Sequence, residues 1–81
     1  IMDLVKLVTT LVEGVVVNKE DVSVKEFSSD DAITIEILVK EEDMGRLIGK
    51  NGKTINAIRT LCQASSYLNG NKYVKINADK F

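Results

Sequence analysis

The chain has 81 residues, 44% of them hydrophobic and 28% charged, and a net charge of −1. That length suits one domain with a modest core, and near-neutrality excludes a protein that coats nucleic acid non-specifically. Histidine is absent and Cys62 is the one cysteine, which removes internal disulfides, Cys/His zinc sites, Ser-His-Asp triads and Cys-His pairs. No apolar run reaches ~18 residues, so no membrane span is expected. The start lacks a basic n-region and interrupts its apolar residues at helical spacing, against a signal peptide; Met2 fits a native start, with Ile1 preceding it. A cytoplasmic protein is expected.

Leu4, Leu7, Val8, Leu11, Val12 and Val15 follow helical spacing. Asp3 is placed to cap the start and Gly14 to end it, so an amphipathic helix is expected over residues 3–13. Val15, Val16 and Val17 form an apolar connector, and residues 18–21 a polar turn. Residues 22–27 alternate loosely, with Val22 and Val24 on one side and Ser23 and Lys25 on the other, as in a short edge strand. Residues 28–31 (Ser-Ser-Asp-Asp) carry turn chemistry. Residues 32–40 alternate most clearly, Ile33, Ile35, Ile37 and Val39 against Thr34, Glu36 and Lys40. Together these runs predict an antiparallel hairpin with a four-residue link.

Glu41, Glu42 and Asp43 stand where a helix N-terminus favours acids, and a short helix is expected over residues 42–47. Gly45 inside it would cost about 1 kcal/mol relative to alanine, which close packing against a neighbouring helix would explain. After residues 49–52 a longer helix is expected over residues 53–66, with Ile55, Ile58, Leu61, Cys62 and Ser65 on its apolar face and Lys53, Asn56, Thr60 and Gln63 on another. On that face Cys62 reads as an inert core residue. A turn over residues 69–72 then leads to a strand over residues 73–78, with Val74, Ile76 and Ala78 inward and Tyr73, Lys75 and Asn77 outward. The order helix, strand, strand, helix, helix, strand predicts an α+β fold, its helices packed on one face of a three-stranded sheet. The other face stays wet.

Residues 47–55 read Leu-Ile-Gly-Lys-Asn-Gly-Lys-Thr-Ile. Gly49 and Gly52 permit a sharp turn and close approach of a ligand to the backbone. A helix starting at Lys53 directs unpaired N–H groups at that turn, which favours an anion such as a phosphate. Charge is also polarised. From Glu13 to Asp43 there are ten acids and three lysines, whereas from Met44 to Gln63 there are Arg46, Lys50, Lys53 and Arg59 and no acid. A solvated helix face balanced by acids elsewhere is the alternative account. The spacing is neither a P-loop nor a dinucleotide fingerprint. A clamp for a sugar-phosphate backbone fits better.

The run Ile48-Gly49-Lys50-Asn51-Gly52-Lys53-Thr54-Ile55, set behind Asp43-Met44-Gly45-Arg46-Leu47, resembles the signature of K-homology (KH) domains. In these a GxxG loop clamps about four nucleotides. The element order resembles the type II arrangement, and the resemblance extends to the small bacterial single-KH proteins of the KhpA type, over nearly the whole chain. It implies one KH domain over residues 1–81 and a mixed sheet, with the first two strands antiparallel and the last parallel to the second. It also implies single-stranded RNA in a groove. Gly49, Lys50, Asn51 and Gly52 would hold the backbone, Arg46 and Lys53 would supplement the charge, and Ile48 and Ile55 would floor the groove or serve as core. Inactive variants of the motif carry acids between the glycines; here the pair is Lys and Asn. The resemblance further implies an RNA chaperone or post-transcriptional regulator, as a homodimer or with a larger KH-containing protein of the Jag/KhpB type.

The basic residues near the turn could neutralise roughly 2–3 phosphates, giving a shallow salt dependence. Phe27, Tyr67, Tyr73 and Phe81 all lie away from the turn in sequence, so base stacking on an aromatic is not expected there. One domain alone would bind modestly, and two linked sites would bind usefully. The rival reading is a protein-interaction scaffold that keeps the KH fold. An enzyme ranks third, because no histidine, no carboxylate pair near the turn and no metal-ligand pattern accompany the glycines.

Overall fold

A computed structural model describes residues 3–70 and 72–81. Ile1 and Met2, where a native start was considered, lie outside the described residues, as does residue 71 of the turn expected over 69–72. Helix α1 spans Leu4–Glu13, β1 Ser23–Ser28, β2 Ala32–Val39, α2 Met44–Ile48, α3 Lys53–Leu68 and β3 Tyr73–Lys80. The Asp3 carboxylate accepts from Lys6 N at 3.1 Å, capping α1 as its position suggested. The sheet order is β1-β2-β3, so both outer strands are edges and β2 is central. Strand β1 pairs antiparallel with β2, and β2 pairs parallel with β3. This is the mixed three-stranded sheet of the type II arrangement.

The alternation in β2 decides which face is buried. Ile35, Ile37 and Val39 are buried, and all three helices cover that side. They meet Leu4, Val8 and Val12 of α1, Leu47 of α2, and Ile55, Ile58 and Cys62 of α3. Val74 and Ile76 complete the core from β3, in register with Ile33 and Ile35. Lys25, Glu36 and Asn77 form a row across the uncovered face. Cys62 is fully buried, and burial pushes its thiol pKa up, consistent with an inert packing role.

Several expectations shift. Strand β1 begins at Ser23, and the hairpin link narrows to residues 29–31, closed by Ser29 N donating to Ala32 O at 2.8 Å. Helix α3 runs two residues further than expected, and β3 runs on to Lys80, because its parallel register with β2 continues to Val39. Helix α2 starts at Met44, after a 3-10 turn over Glu41–Asp43. Gly45 does not pack against a helix: a Cβ built there would meet nothing within 4 Å. Leu61 is not core. It is 52% exposed, because the true inward row of α3 is Ile55, Ile58, Cys62 and Ser65.

Helix α3 also covers the free edge of β3. The Gln63 amide donates to Lys72 O at 2.9 Å and accepts from Val74 N at 2.9 Å, much as a neighbouring strand would. The Arg59 guanidinium donates to Ile76 O at 3.1 Å. These bonds satisfy the first part of an edge that would otherwise invite pairing with another chain.

Candidate nucleic-acid interface

Residues 49–52 fold because their backbone conformations suit them. Gly49 has φ 77° and ψ 172°, a region that residues with a Cβ essentially do not enter. Asn51 (φ 55°, ψ 28°) and Gly52 (φ 77°, ψ 11°) are left-handed, where asparagine and glycine cost least. Gly52 N donates to Gly49 O at 3.1 Å, closing the turn, and Gly49 N donates to Gly45 O at 2.9 Å, ending α2. The space beside Gly49 is filled by Thr54. A Cβ at Gly49 would stand 2.8 Å from Thr54 Cβ and 2.9 Å from Thr54 N, and nearer still to its Oγ1. Thr54 is thus part of the turn's architecture. The sequence reading missed it, since a threonine one residue into a helix carries no distinguishing signal.

Helix α3 begins directly behind this turn, with Gly52 at its N-cap and no side chain capping it. Lys50, Asn51 and Lys53 are exposed, and among the described residues Lys50 and Lys53 form no ion pair. Arg46 is different. Its Nη1 bonds Asp43 Oδ1 at 3.1 Å and Glu42 O at 3.0 Å, so part of its charge is already matched, although its side chain is 51% exposed. Ile48 is half-buried beside the turn, whereas Ile55 is 3% exposed and belongs to the core cluster. The structure therefore brings Arg46, Ile48, Gly49, Lys50, Asn51, Gly52 and Lys53 to one end of α3, with Ile55 beneath them. Arg59 stands further along α3 and bonds Asn56 Oδ1 at 3.0 Å, bridging to β3. A depression of about 190 Å³ lies elsewhere, on the uncovered sheet face between Glu36, Leu38, Asn77 and Asp79, and no residue of the turn lines it.

Asp43 is a second residue whose role differs from its expected one. It does not cap α2. Its carboxylate is fully buried and accepts from Val17 N at 3.0 Å, Asn18 N at 2.9 Å, Asn18 Nδ2 at 3.0 Å and Arg46 Nη1. The Val17 amide, with help from Asn18 and the Arg46 guanidinium, outweighs burial and lowers its pKa from 3.8 to about 2. An acid just before a helix has a ready explanation as a terminal charge, and that explanation hid this tie to a connector 25 residues away.

A left-handed Gly-x-x-Gly turn between two helices, beside a β-β-α-α-β mixed sheet with one preceding helix, defines a type II KH domain. The match extends to sequence: the family described as KhpA/KhpB, KH domain aligns with residues 5–77, and the chain belongs to that family. Among curated relatives, an RNA-binding protein KhpA of Caldanaerobacter subterraneus subsp. tengcongensis is 43% identical over 61 residues, covering 75% of this chain and 81% of that protein. One of Clostridium perfringens is 38% identical over 69 residues, covering 85% and 92%. One of Listeria monocytogenes is 39% identical over 67 residues, covering 83% and 88%.

Proposed function

We propose that residues 1–81 form one KH domain that binds single-stranded RNA. The groove beside α3 takes the RNA, and residues 49–52 grip its sugar-phosphate backbone. One observation carries this reading. Lys50 and Lys53 stand at the N-terminus of α3, where the helix dipole disfavours cations, and neither has an acidic partner among the described residues. Helix stability alone would favour acids there, so the lysines fit an incoming anion. The naming of the relatives as RNA-binding proteins supports RNA as the source of that anion. Lys50 and Lys53 serve as phosphate cations, and Arg46 adds what charge Asp43 leaves it. Ile48 offers the apolar surface nearest the turn, with Ile55 supporting it from the core. The protein acts by binding, as an RNA chaperone or post-transcriptional regulator in the cytoplasm.

The test is the double change Lys50→Asp/Asn51→Asp, measured by fluorescence anisotropy with a labelled unstructured RNA. Binding is expected to vanish while circular dichroism stays native. Aspartate is tolerated in the left-handed position of Asn51, and acids before α3 suit its dipole. For the unaltered protein, log K against log [salt] should have a slope of roughly −1.4 to −2, from two to three phosphates. Equal binding by both proteins would sink the clamp.

Assembly is the second part of the reading. Ala57, Leu61, Ala64 and Leu68 recur at spacings of four, three and four on the exposed side of α3, the seam spacing of paired helices. Leu61 and Leu68 are 52% and 85% exposed, and this stripe bears no charge. The alanines allow close approach, so two α3 helices suit a homodimer that doubles the clamps and raises their combined affinity well beyond that of one. A larger KH-containing protein of the Jag/KhpB type would meet the same seam. Leu61→Glu should shift sedimentation from dimer toward monomer without loss of fold; an unchanged dimer would place the contact elsewhere. The same stripe favours the scaffold reading, in which partner binding survives Lys50→Asp/Asn51→Asp.

A further inference from the structure

Helix α2 has five residues, too few to hold itself in place, since isolated helices of that length do not form in water. Its position must come from contacts outside it. Leu47, fully buried, anchors one end in the core. The other end hangs on the buried carboxylate of Asp43, whose hydrogen-bond donors other than Arg46 come from Val17 and Asn18 in the α1–β1 connector. The Asn18 amide reaches both residues that precede α2, donating to Asp43 Oδ2 at 3.0 Å and to Glu42 Oε2 at 3.1 Å. Glu42 and Asp43 in turn hold Arg46, through Glu42 O at 3.0 Å and Asp43 Oδ1 at 3.1 Å. One turn of helix later, Gly49 N is fixed by Gly45 O. A continuous set of bonds therefore runs from the connector, through the start of α2, to the first glycine of the clamp.

We infer that Asn18, acting through Glu42 and Asp43, is a positioning residue for the clamp: it sets where α2 delivers Gly49 and where Arg46 points. The inference rests on the RNA-clamp reading and deepens it. Among the described residues Asn18 forms no hydrogen bond with residues 49–53, and its replacement changes no charge, so an effect on binding passes through α2. A residue that merely stabilised the fold would lower the melting temperature and leave the affinity of the folded protein alone.

The experiment compares Asn18→Ala with the unaltered protein and with Val74→Ala. Val74 is buried in β3 beside Ile33, at the end of the sheet away from α2, and its truncation serves as a destabilised control. Affinity for the same unstructured RNA is measured well below all melting temperatures, and amide resonances of Gly49 and Gly52 are recorded without RNA. Asn18→Ala is expected to weaken binding about threefold to tenfold and to shift both clamp amides, while Val74→Ala does neither. Unchanged affinity and unmoved amides in Asn18→Ala would overturn the inference, as would an equal loss of affinity in Val74→Ala. If the unaltered protein binds no RNA, the clamp reading itself fails. The free-protein amides then decide whether Asn18 positions the turn, and unmoved amides overturn that too.

Discussion

Gly49→Ala should destabilise the protein by roughly 2–4 kcal/mol and abolish the clamp geometry. Two costs combine. At φ 77° and ψ 172° an alanine is held in a region essentially confined to glycine. Its Cβ would also stand 2.9 Å from a backbone atom, Thr54 N, and 2.8 Å from Thr54 Cβ. Shortening the neighbour does not relieve this, because Thr54→Ala removes Oγ1 but leaves both of those atoms. The double variant Gly49→Ala/Thr54→Ala should therefore stay within about 1 kcal/mol of Gly49→Ala. Gly52→Ala is the informative comparison. Its nearest neighbour would be Asn56 Nδ2 at 3.4 Å, ordinary contact, so only the left-handed backbone cost of about 1–2 kcal/mol remains. Urea unfolding of the single variants and the double variant ranks these costs directly. Equal losses at Gly49 and Gly52 would mean that Thr54 does not crowd Gly49, and recovery in the double variant would mean that the Thr54 side chain beyond its Cβ does.

The two glycines thus do different work, and only one part of this was legible in the sequence. Spacing and neighbouring lysines pointed to the turn, because glycine and charge are local signals. The alternation of Ile33, Ile35 and Ile37 was enough to assign the buried sheet face, since a strand's period is unambiguous. Helix α3 was harder. Leu61 is as apolar as its neighbours, and a helix with two apolar sides does not say which one meets the core; the packing of Ile58 and Cys62 against the sheet decides it. The close approach of Thr54 to Gly49 arises from two backbone segments folding back on each other, which no periodicity encodes. Gly45 failed in the opposite sense. Its helix cost suggested a packing reason, and the structure offers none at that site.

The glycine turn also shows why part of this molecule is built against its own stability. The left-handed Asn51 and the lysines at a helix N-terminus each cost free energy in the empty protein. Neither is needed to bury the core, which Ile35, Ile37 and Val39 of β2 and the inward rows of α1 and α3 already form. Such costs persist where bound ligand recovers them. An RNA backbone that neutralises Lys50 and Lys53 and bonds the N–H groups of the turn would do so.

Acid should expose the second large dependence, through Asp43. Its carboxyl titrates at about 2 in the folded protein against an ordinary 3.8, so the folded state favours the ionised form. A depressed pKa contributes stability that is fully present above the unfolded value, near pH 4, and is lost as pH falls through the folded value, near pH 2. The first cause is the Val17 N–H, and the Asn18 backbone and side chain and the Arg46 guanidinium add to it against the opposing effect of burial. Protonation sets an O–H donor among these donors, and the tie between the connector and α2 weakens. Asp43→Asn mimics that state at every pH. The amide keeps one acceptor oxygen but turns an NH2 toward a backbone N–H, leaving a buried donor unpaired. A melting temperature lower by roughly 8–15 °C at pH 7 is expected. Other carboxylates also titrate as the solution is acidified, so the decisive quantity is the difference between the two proteins. Thermal unfolding by circular dichroism from pH 7 to pH 2 should show that gap steady above pH 4 and closing between pH 4 and pH 2. A gap that stays constant to pH 2 would mean that the charge of Asp43 contributes nothing and that its shape alone holds α2 in place.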